Sequence, residues 1–198
     1  MGFVDPYFDE NIGDLRNLLG VKSSEELKEL EPQIVFANEL ELESVGIPRT
    51  NDFNELLLIH QQLFKGVYEW AGKIRTVDIK KDTESADFFL IVSRINDGAN
   101  CVFTELTKEK SLRNLNPEEF IKRLAYFYDQ LNYIHPFREG NGRTQRVFWS
   151  RVARGAGYEI DWSLIVGNEN DEASRIAAEE MDLSKLEDMF ARIVRSIE

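Results

Sequence analysis

His135-Pro136-Phe137-Arg138-Glu139-Gly140-Asn141-Gly142-Arg143-Thr144-Gln145-Arg146 lies between two stretches that read as helix, and it organises the rest of the chain. Upstream, Asn116-Pro117-Glu118-Glu119 opens a helix: Asn116 caps it, Pro117 takes the first helical position and Glu119 completes the box. Phe120, Leu124, Phe127, Leu131 and Ile134 follow as its apolar stripe. Pro136 disfavours helical geometry at His135, so that helix ends there. Downstream, helix resumes near Gly142 and runs to Gly155 or Gly157, where glycine can cap it.

The loop residues carry chemistry. Gly140, Asn141 and Gly142 stand where the second helix begins, so their backbone N–H groups have no intrahelical acceptor. Two glycines let the backbone turn tightly and approach a ligand, and the helix N-terminus adds about half a positive charge. Together these make a pocket for phosphate oxygens. Arg143 and Arg146 are three residues apart and share a face, suited to clamping further phosphates. More than one phosphate is implied, hence a nucleoside di- or triphosphate. Glu139 offers a hard oxygen ligand for Mg²⁺ bridging those phosphates. His135, at the end of the preceding helix, can accept a proton from an incoming hydroxyl; a histidine's ordinary pKa of about 6.5 suits that task at neutral pH. The set spells phosphoryl or nucleotidyl transfer.

Around this loop the chain has 198 residues, which fits one domain with a full core, and a net charge of −12. So acidic a surface argues against a general nucleic-acid binder. Arg138, Arg143, Arg146, Arg151 and Arg154 form a basic island broken only by Glu139, which suits one small, highly charged anion. Arg138, Arg151 and Arg154 read as surface charges. No apolar run is long enough to cross a bilayer, and the acidic start from Met1 to Leu15 is unlike a signal peptide. The lone Cys101 reads as a small buried apolar residue in a reducing cytoplasm.

Further out, Ser23-Ser24-Glu25-Glu26 reads as a capping box for a helix with Leu27, Leu30, Ile34 and Ala37 on one face. A second helix is expected from about Asp52 to Trp70, striped by Leu56, Ile59, Leu63 and Val67. β-branched Ile74-Arg75-Thr76-Val77-Asp78-Ile79, the polar stretch 80–87, and Phe88-Phe89-Leu90-Ile91-Val92 read as strand, loop and strand. Such a hairpin must lean on the helices. A last helix starts at Ser184 with Leu186, Met189, Phe190, Ile193, Val194 and Ile197 as core. His60 reads as structural, Phe137 as an anchor for the loop, and Trp70 as packing at the flap base. The fold class is mainly α, with one β-hairpin.

The loop resembles the signature of the Fic family: His-Pro-Phe, any residue, Asp or Glu, Gly-Asn-Gly-Arg, two residues, Arg. All nine specified positions match. The stretches Leu58 to Phe64 and Tyr68 to Thr76 also look like the family's helix and the start of its flap, and the likeness runs from about residue 10 to the end. The resemblance implies a single Fic domain over 1–198, with a core of about 50–198, an N-terminal helical extension over 1–49, and a helical bundle whose β-hairpin flap covers the active-site loop. It implies a protein adenylyltransferase using Mg·ATP. His135 is then the base toward a target Ser, Thr or Tyr hydroxyl, and Glu139 the Mg²⁺ ligand. Gly140, Asn141, Gly142, Arg143 and Arg146 bind the phosphates, with Arg146 nearest the γ-phosphate. The flap, by Ile74, Arg75, Thr76, Val77, Asp78, Phe88 and Phe89, docks the protein substrate by strand addition.

A related branch, the Doc kinases, has Lys where Gly142 stands, so Gly142 favours AMP transfer over phosphorylation; a non-catalytic binding module is the third class. Many Fic enzymes carry an inhibitory helix with Ser or Thr, three residues, Glu, then Gly or Asn. This chain has no such pattern, and the nearest approach is Ser93 to Gly98 with Asp97 in place of Glu. The resemblance then implies a small antitoxin supplying the Glu to Arg146, and a toxin of a bacterial toxin–antitoxin pair. No nucleic-acid or membrane partner is expected.

Overall fold

The computed structural model describes residues 5–80 and 89–197. Its centre is α4 (Pro117–Ile134) and α5 (Asn141–Ala156), joined by the loop quoted above. Asn116 and Glu119 form the expected reciprocal cap of α4. Phe120, Leu124, Phe127 and Leu131 are fully buried, as are Phe148 and Trp149 of α5. Against them pack α2 (Phe53–Phe64) with Ile59, Leu63 and Phe64, and α7 (Ser184–Ile193) with Leu186, Phe190 and Ile193. The mainly α expectation holds. Among the described residues no helix is long and apolar enough to cross a membrane.

α1 (Ser24–Val45) lies along α2, but on a different face from the expected one. Its buried side chains are Leu27, Glu31, Val35, Asn38 and Leu42, while Leu30 and Ala37 are exposed. Two polar residues, Glu31 and Asn38, occupy core positions, which apolar spacing alone does not reveal. The Asn38 amide donates to the carbonyls of Leu63 (2.9 Å) and Lys65 (3.1 Å), satisfying the C-terminal end of α2. α2 also stops earlier than expected: Lys65 leaves helical geometry and Gly66 takes a φ of 74°, so residues 65–67 and 69–72 are turns.

Among the described residues several elements escape the sequence reading: α3 (Ile95–Lys108), α6 (Glu169–Glu180), the paired β1 (Phe8–Asp9) and β2 (Asp14–Leu15), and the short strand after α5. The last helix stops at Ile193. Val194 instead opens β4 (Val194–Ser196), antiparallel to β3 (Tyr158–Ile160) with Ile160 opposite Val194, and Ile197 is exposed. Cys101 is exposed on α3 rather than buried. The second flap strand also fails to extend as expected: Val92–Arg94 is a 3-10 turn that feeds α3. Among the described residues Ile74 to Ile79 is not assigned to a strand, Lys80 forms a single bridge, and one backbone bond, Phe89 N–H to the Ile79 carbonyl (3.2 Å), spans the flap. Phe88 lies outside the described residues.

Candidate active site

His135 ends α4 in the left-handed region, φ 46°, with its N–H on the Leu131 carbonyl. For a non-glycine residue this costs about 1–2 kcal/mol, so the surroundings must hold it. Its Nδ1–H donates to the Asn132 carbonyl at 3.1 Å, which makes Nε2 the basic nitrogen. Phe89 stacks on the imidazole, centroids 3.7 Å apart at 13°.

Five residues on, Gly140 caps α5 with a φ of 81°. A Cβ there would lie 2.1 Å from Cζ of Phe64, so only glycine fits. No side chain caps α5, so the N–H groups of its first turn have no intrahelical acceptor. Glu139, half exposed, accepts the Gly140 N–H (2.8 Å) and reaches Arg143 at 3.3 Å. The Asn141 side chain turns inward. Its Oδ1 accepts the Phe137 N–H (2.9 Å) and its Nδ2 donates to the Phe137 carbonyl (2.8 Å), so it shapes the loop and offers a ligand only its backbone. Gly142 differs from Gly140: a Cβ there would meet nothing within 4 Å. Packing does not demand that glycine, and the space beside it is open.

The two arginines are held differently. Arg143 forms a bidentate pair with Glu31 and lies over the Phe64 ring at 4.8 Å. Arg146 has its Nε buried without a partner among the described residues, and its guanidinium stands 5.8 Å from the Trp162 ring centroid. Burial pushes the Glu39 carboxyl up, and nearby Arg146 pulls it part of the way back. Arg143 and Arg146 line one cavity of about 490 Å³ with Glu39 and Trp162, and Arg143 shares a second of about 380 Å³ with Glu31, Tyr68 and Glu139.

The rest of the basic island is structural. Arg138 binds Asp5 at 2.8 Å, and Arg154 approaches Glu159 at 3.6 Å on the surface. Arg151, expected at the surface, is buried in a pair with Glu55 (2.6 Å) and also donates to the Ile47 carbonyl. Asp97, the acid of the nearest inhibitory-like stretch, pairs with Arg94 on the surface at 3.3 Å.

His60 is buried and structural, as expected, and it is also wired to the loop. Gly72 N–H donates to its Nδ1 (2.8 Å), so Nε2 carries the proton and donates to the Glu139 carbonyl (3.0 Å). Its ring stacks on Phe137 at 3.8 Å, and burial pushes its pKa down to about 3. Phe137 and Trp70 anchor the loop and flap base as read; Trp70 stacks on Tyr68 at 4.3 Å.

In the flap, Thr76 is exposed with its N–H on the Tyr7 hydroxyl (2.9 Å), and Ile74 and Val77 are half-buried against the core. Exposed Asp78 accepts the Val92 N–H at 2.7 Å. Arg75, expected to face a target, is turned inward and buried. Sequence reading missed Glu31, whose signal was an acid at a core position of α1 facing a basic cluster.

The Fic/DOC family model matches residues 51–153, which include the whole loop. The chain is 31% identical to the probable protein adenylyltransferase Fic of Escherichia coli over 191 residues, covering 96% of this chain and 92% of that one. It is 41% identical over 173 residues to the protein adenylyltransferase VbhT of Bartonella schoenbuchensis, covering 87% of this chain but only 36% of VbhT's length. Among solved structures, the N-terminal Fic domain of a cell filamentation protein from Bartonella quintana, with bound ADP, superposes with a TM-score of 0.87 at 29% identity, covering 97% of this chain and 95% of that one. BepC from Bartonella tribocorum, with bound AMPPNP, gives 0.89 at 25% identity, covering 97% of each chain. Loop, helical frame and relatives agree: the chain belongs to the Fic/DOC family.

Proposed function

We propose that this chain is a protein adenylyltransferase that moves AMP from ATP to a hydroxyl group of another protein. The observation that carries the reading is a base of defined tautomer, His135, five residues before an uncapped, glycine-opened helix start that bears Arg143 and Arg146. The target hydroxyl oxygen attacks the α-phosphorus and its proton passes to Nε2 of His135. The bond from α-phosphorus to the bridging oxygen breaks, and pyrophosphate leaves. Arg143, Arg146 and the backbone from Gly140 to Gly142 hold the phosphates, Arg146 toward the γ-phosphate.

Glu139 fits Mg²⁺ as a half-exposed carboxylate beside the start of α5. Among the described residues no group of three His, Cys, Asp or Glu could hold a metal, so Glu139 suits an ion arriving with the triphosphate. Mg²⁺, when bound, would neutralise charge on the departing pyrophosphate. Open space beside Gly142 favours an AMP-transferring pose over one displaced by a side chain at that position. Residues 1–198 act as one Fic domain in this reading, and the segment around Ile74 to Phe89 docks the target.

The relatives named as adenylyltransferases and those solved with ADP or AMPPNP support the chemistry. A finer reading rests on Arg146: its buried Nε, without a partner among the described residues, suits a Glu supplied by a small antitoxin, making this chain the toxin of a bacterial pair in the cytoplasm. The test is incubation of the chain with Mg²⁺, a bacterial lysate and ATP labelled at the α- or the γ-phosphate. Transfer of the α-label, absent in His135→Ala, is the expected result. Transfer of the γ-label instead would make the enzyme a kinase and overturn the reading.

A further inference from the structure

Arg75 stands at the first foot of the flap, yet its side chain is only 1% exposed. Its guanidinium faces backbone carbonyls on three segments. Nε donates to the His135 carbonyl at 2.8 Å, and Nη1 to the Val77 carbonyl at 2.8 Å. Nη2 donates to the Leu90 carbonyl and lies 3.5 Å from that of Ile134. The Arg75 backbone N–H adds a bond to the Pro136 carbonyl (2.8 Å), and Asp78 is the acid beside it, at 3.7 Å. Val77 and Leu90 are the two feet of the flap, and Ile134 and His135 close α4. One planar cation therefore ties both feet to the end of the helix that presents the base.

We propose that Arg75 is a positioning residue that couples the flap to the geometry of His135. The proposal rests on the reading of His135 as the base. His135 sits at a φ of 46°, a conformation its own side chain does not favour, so its carbonyl direction must be held from outside. The α4 carbonyls present the negative end of the helix dipole, which suits a buried guanidinium. The far foot adds two contacts of its own: Leu90 N–H on the Tyr133 carbonyl (3.0 Å), and the Phe89 ring on the imidazole. Any strain that a docked target puts on the feet passes through these bonds to the base.

Lysine separates charge from geometry, because one ammonium cannot reach carbonyls spread as this fork reaches them. In Arg75→Lys, kcat for AMP transfer should fall about 100-fold, the scale of a misplaced catalytic group, while ATP affinity by calorimetry changes less than about twofold. In Arg75→Ala, added ethylguanidinium should restore part of the lost kcat. Should an Arg75 variant fail to fold, Phe89→Leu serves as the second probe: loss of the ring stack on His135 should lower kcat at saturating target, whereas a docking role alone would raise only the KM for the target. Wild-type kcat in folded Arg75→Lys and Phe89→Leu, or a rise in the KM for the target alone, would overturn the proposal. His135→Ala is run alongside: if it stays active, the base assignment fails instead, and the two failures are told apart.

Discussion

Glu31 and Arg143 meet across 112 residues of sequence, Oε2 to Nη1 at 2.6 Å and Oε1 to Nη2 at 2.7 Å. The helix that looked like an N-terminal extension therefore contributes directly to the site proposed for the phosphates. The pair has two opposed effects. It orients Arg143, saving up to about 2 kcal/mol of side-chain freedom, and it offsets the charge that a phosphate would feel. With an effective dielectric constant of about 20, a unit charge about 6 Å from a phosphate is worth roughly 3 kcal/mol. The second effect wins. Glu31→Gln should tighten ATP binding by about threefold to tenfold in calorimetry, at a cost of about 1–3 kcal/mol in stability. Weaker binding would mean that orientation outweighs charge.

The two loop glycines should respond differently to the same substitution. At Gly140 a methyl group collides with Phe64 and the backbone has a positive φ, so Gly140→Ala should cost more than about 3 kcal/mol in urea melts. At Gly142 a methyl group meets nothing and alanine is the better helix former, so stability should hold or rise slightly. Gly142→Ala should instead weaken ATP binding, because the methyl would enter the open space that the proposed pose gives to the nucleotide. If it binds ATP like the wild type, the start of α5 does not approach the phosphates at that residue.

How much of this was legible depended on local rules. The cap at Asn116, the break at Pro136 and the glycine at 157 are short-range effects, and the boundaries of α4 and α5 follow from them. The loop residues were legible because their spacing carries the chemistry. What could not be read depends on contacts distant in sequence. Glu31 is buried because Arg143 faces it, Arg151 because Glu55 does, and Arg75 because four carbonyls converge on it. β-branched residues at 74–79 suggested a strand, but among the described residues that segment is held mainly by the Arg75 side chain, with one backbone bond from Phe89 to Ile79. α3 was missed although Ile95, Ala99, Val102 and Leu106 have helical spacing, because the expected strand ran up to its start.

His60 makes stability depend on pH. Its folded pKa, about 3, lies below the ordinary value of about 6.5 because burial disfavours the imidazolium. Above pH 6.5 both states are neutral and nothing is lost. Below it the unfolded chain takes up a proton that the folded chain refuses, so stability falls as pH drops from about 6.5 toward 3. The loss from this residue should reach about 2 kcal/mol by pH 5. Urea melts at pH 7 and pH 5 test it, with His60→Gln as the comparison. The variant should start less stable, having lost the exact spacing between Gly72 and Glu139, but show a smaller drop between the two pH values. Equal drops would mean that His60 titrates normally.

Arg146 should separate stability from binding most clearly. Its Nε is a buried donor with no acceptor among the described residues, and such a group costs about 1–3 kcal/mol relative to one that is bonded. A structural arginine would be expected to have its partner, as Arg151 does with Glu55 and Ile47. Arg146 instead lines a cavity beside Arg143, where a phosphate or an incoming carboxylate would supply the missing acceptor. Arg146→Met keeps the aliphatic stem against Trp162 and removes the orphaned donor. Thermal stability should stay level or rise, while ATP affinity drops tenfold or more, the scale of one charge-assisted clamp. ATP should also raise the melting temperature of the wild type more than that of the variant, by the equivalent of about 1.4 kcal/mol for each tenfold loss of affinity. If Arg146→Met melts several degrees lower and still binds ATP normally, Arg146 is a packing residue, and both the γ-phosphate assignment and the antitoxin reading built on it are lost.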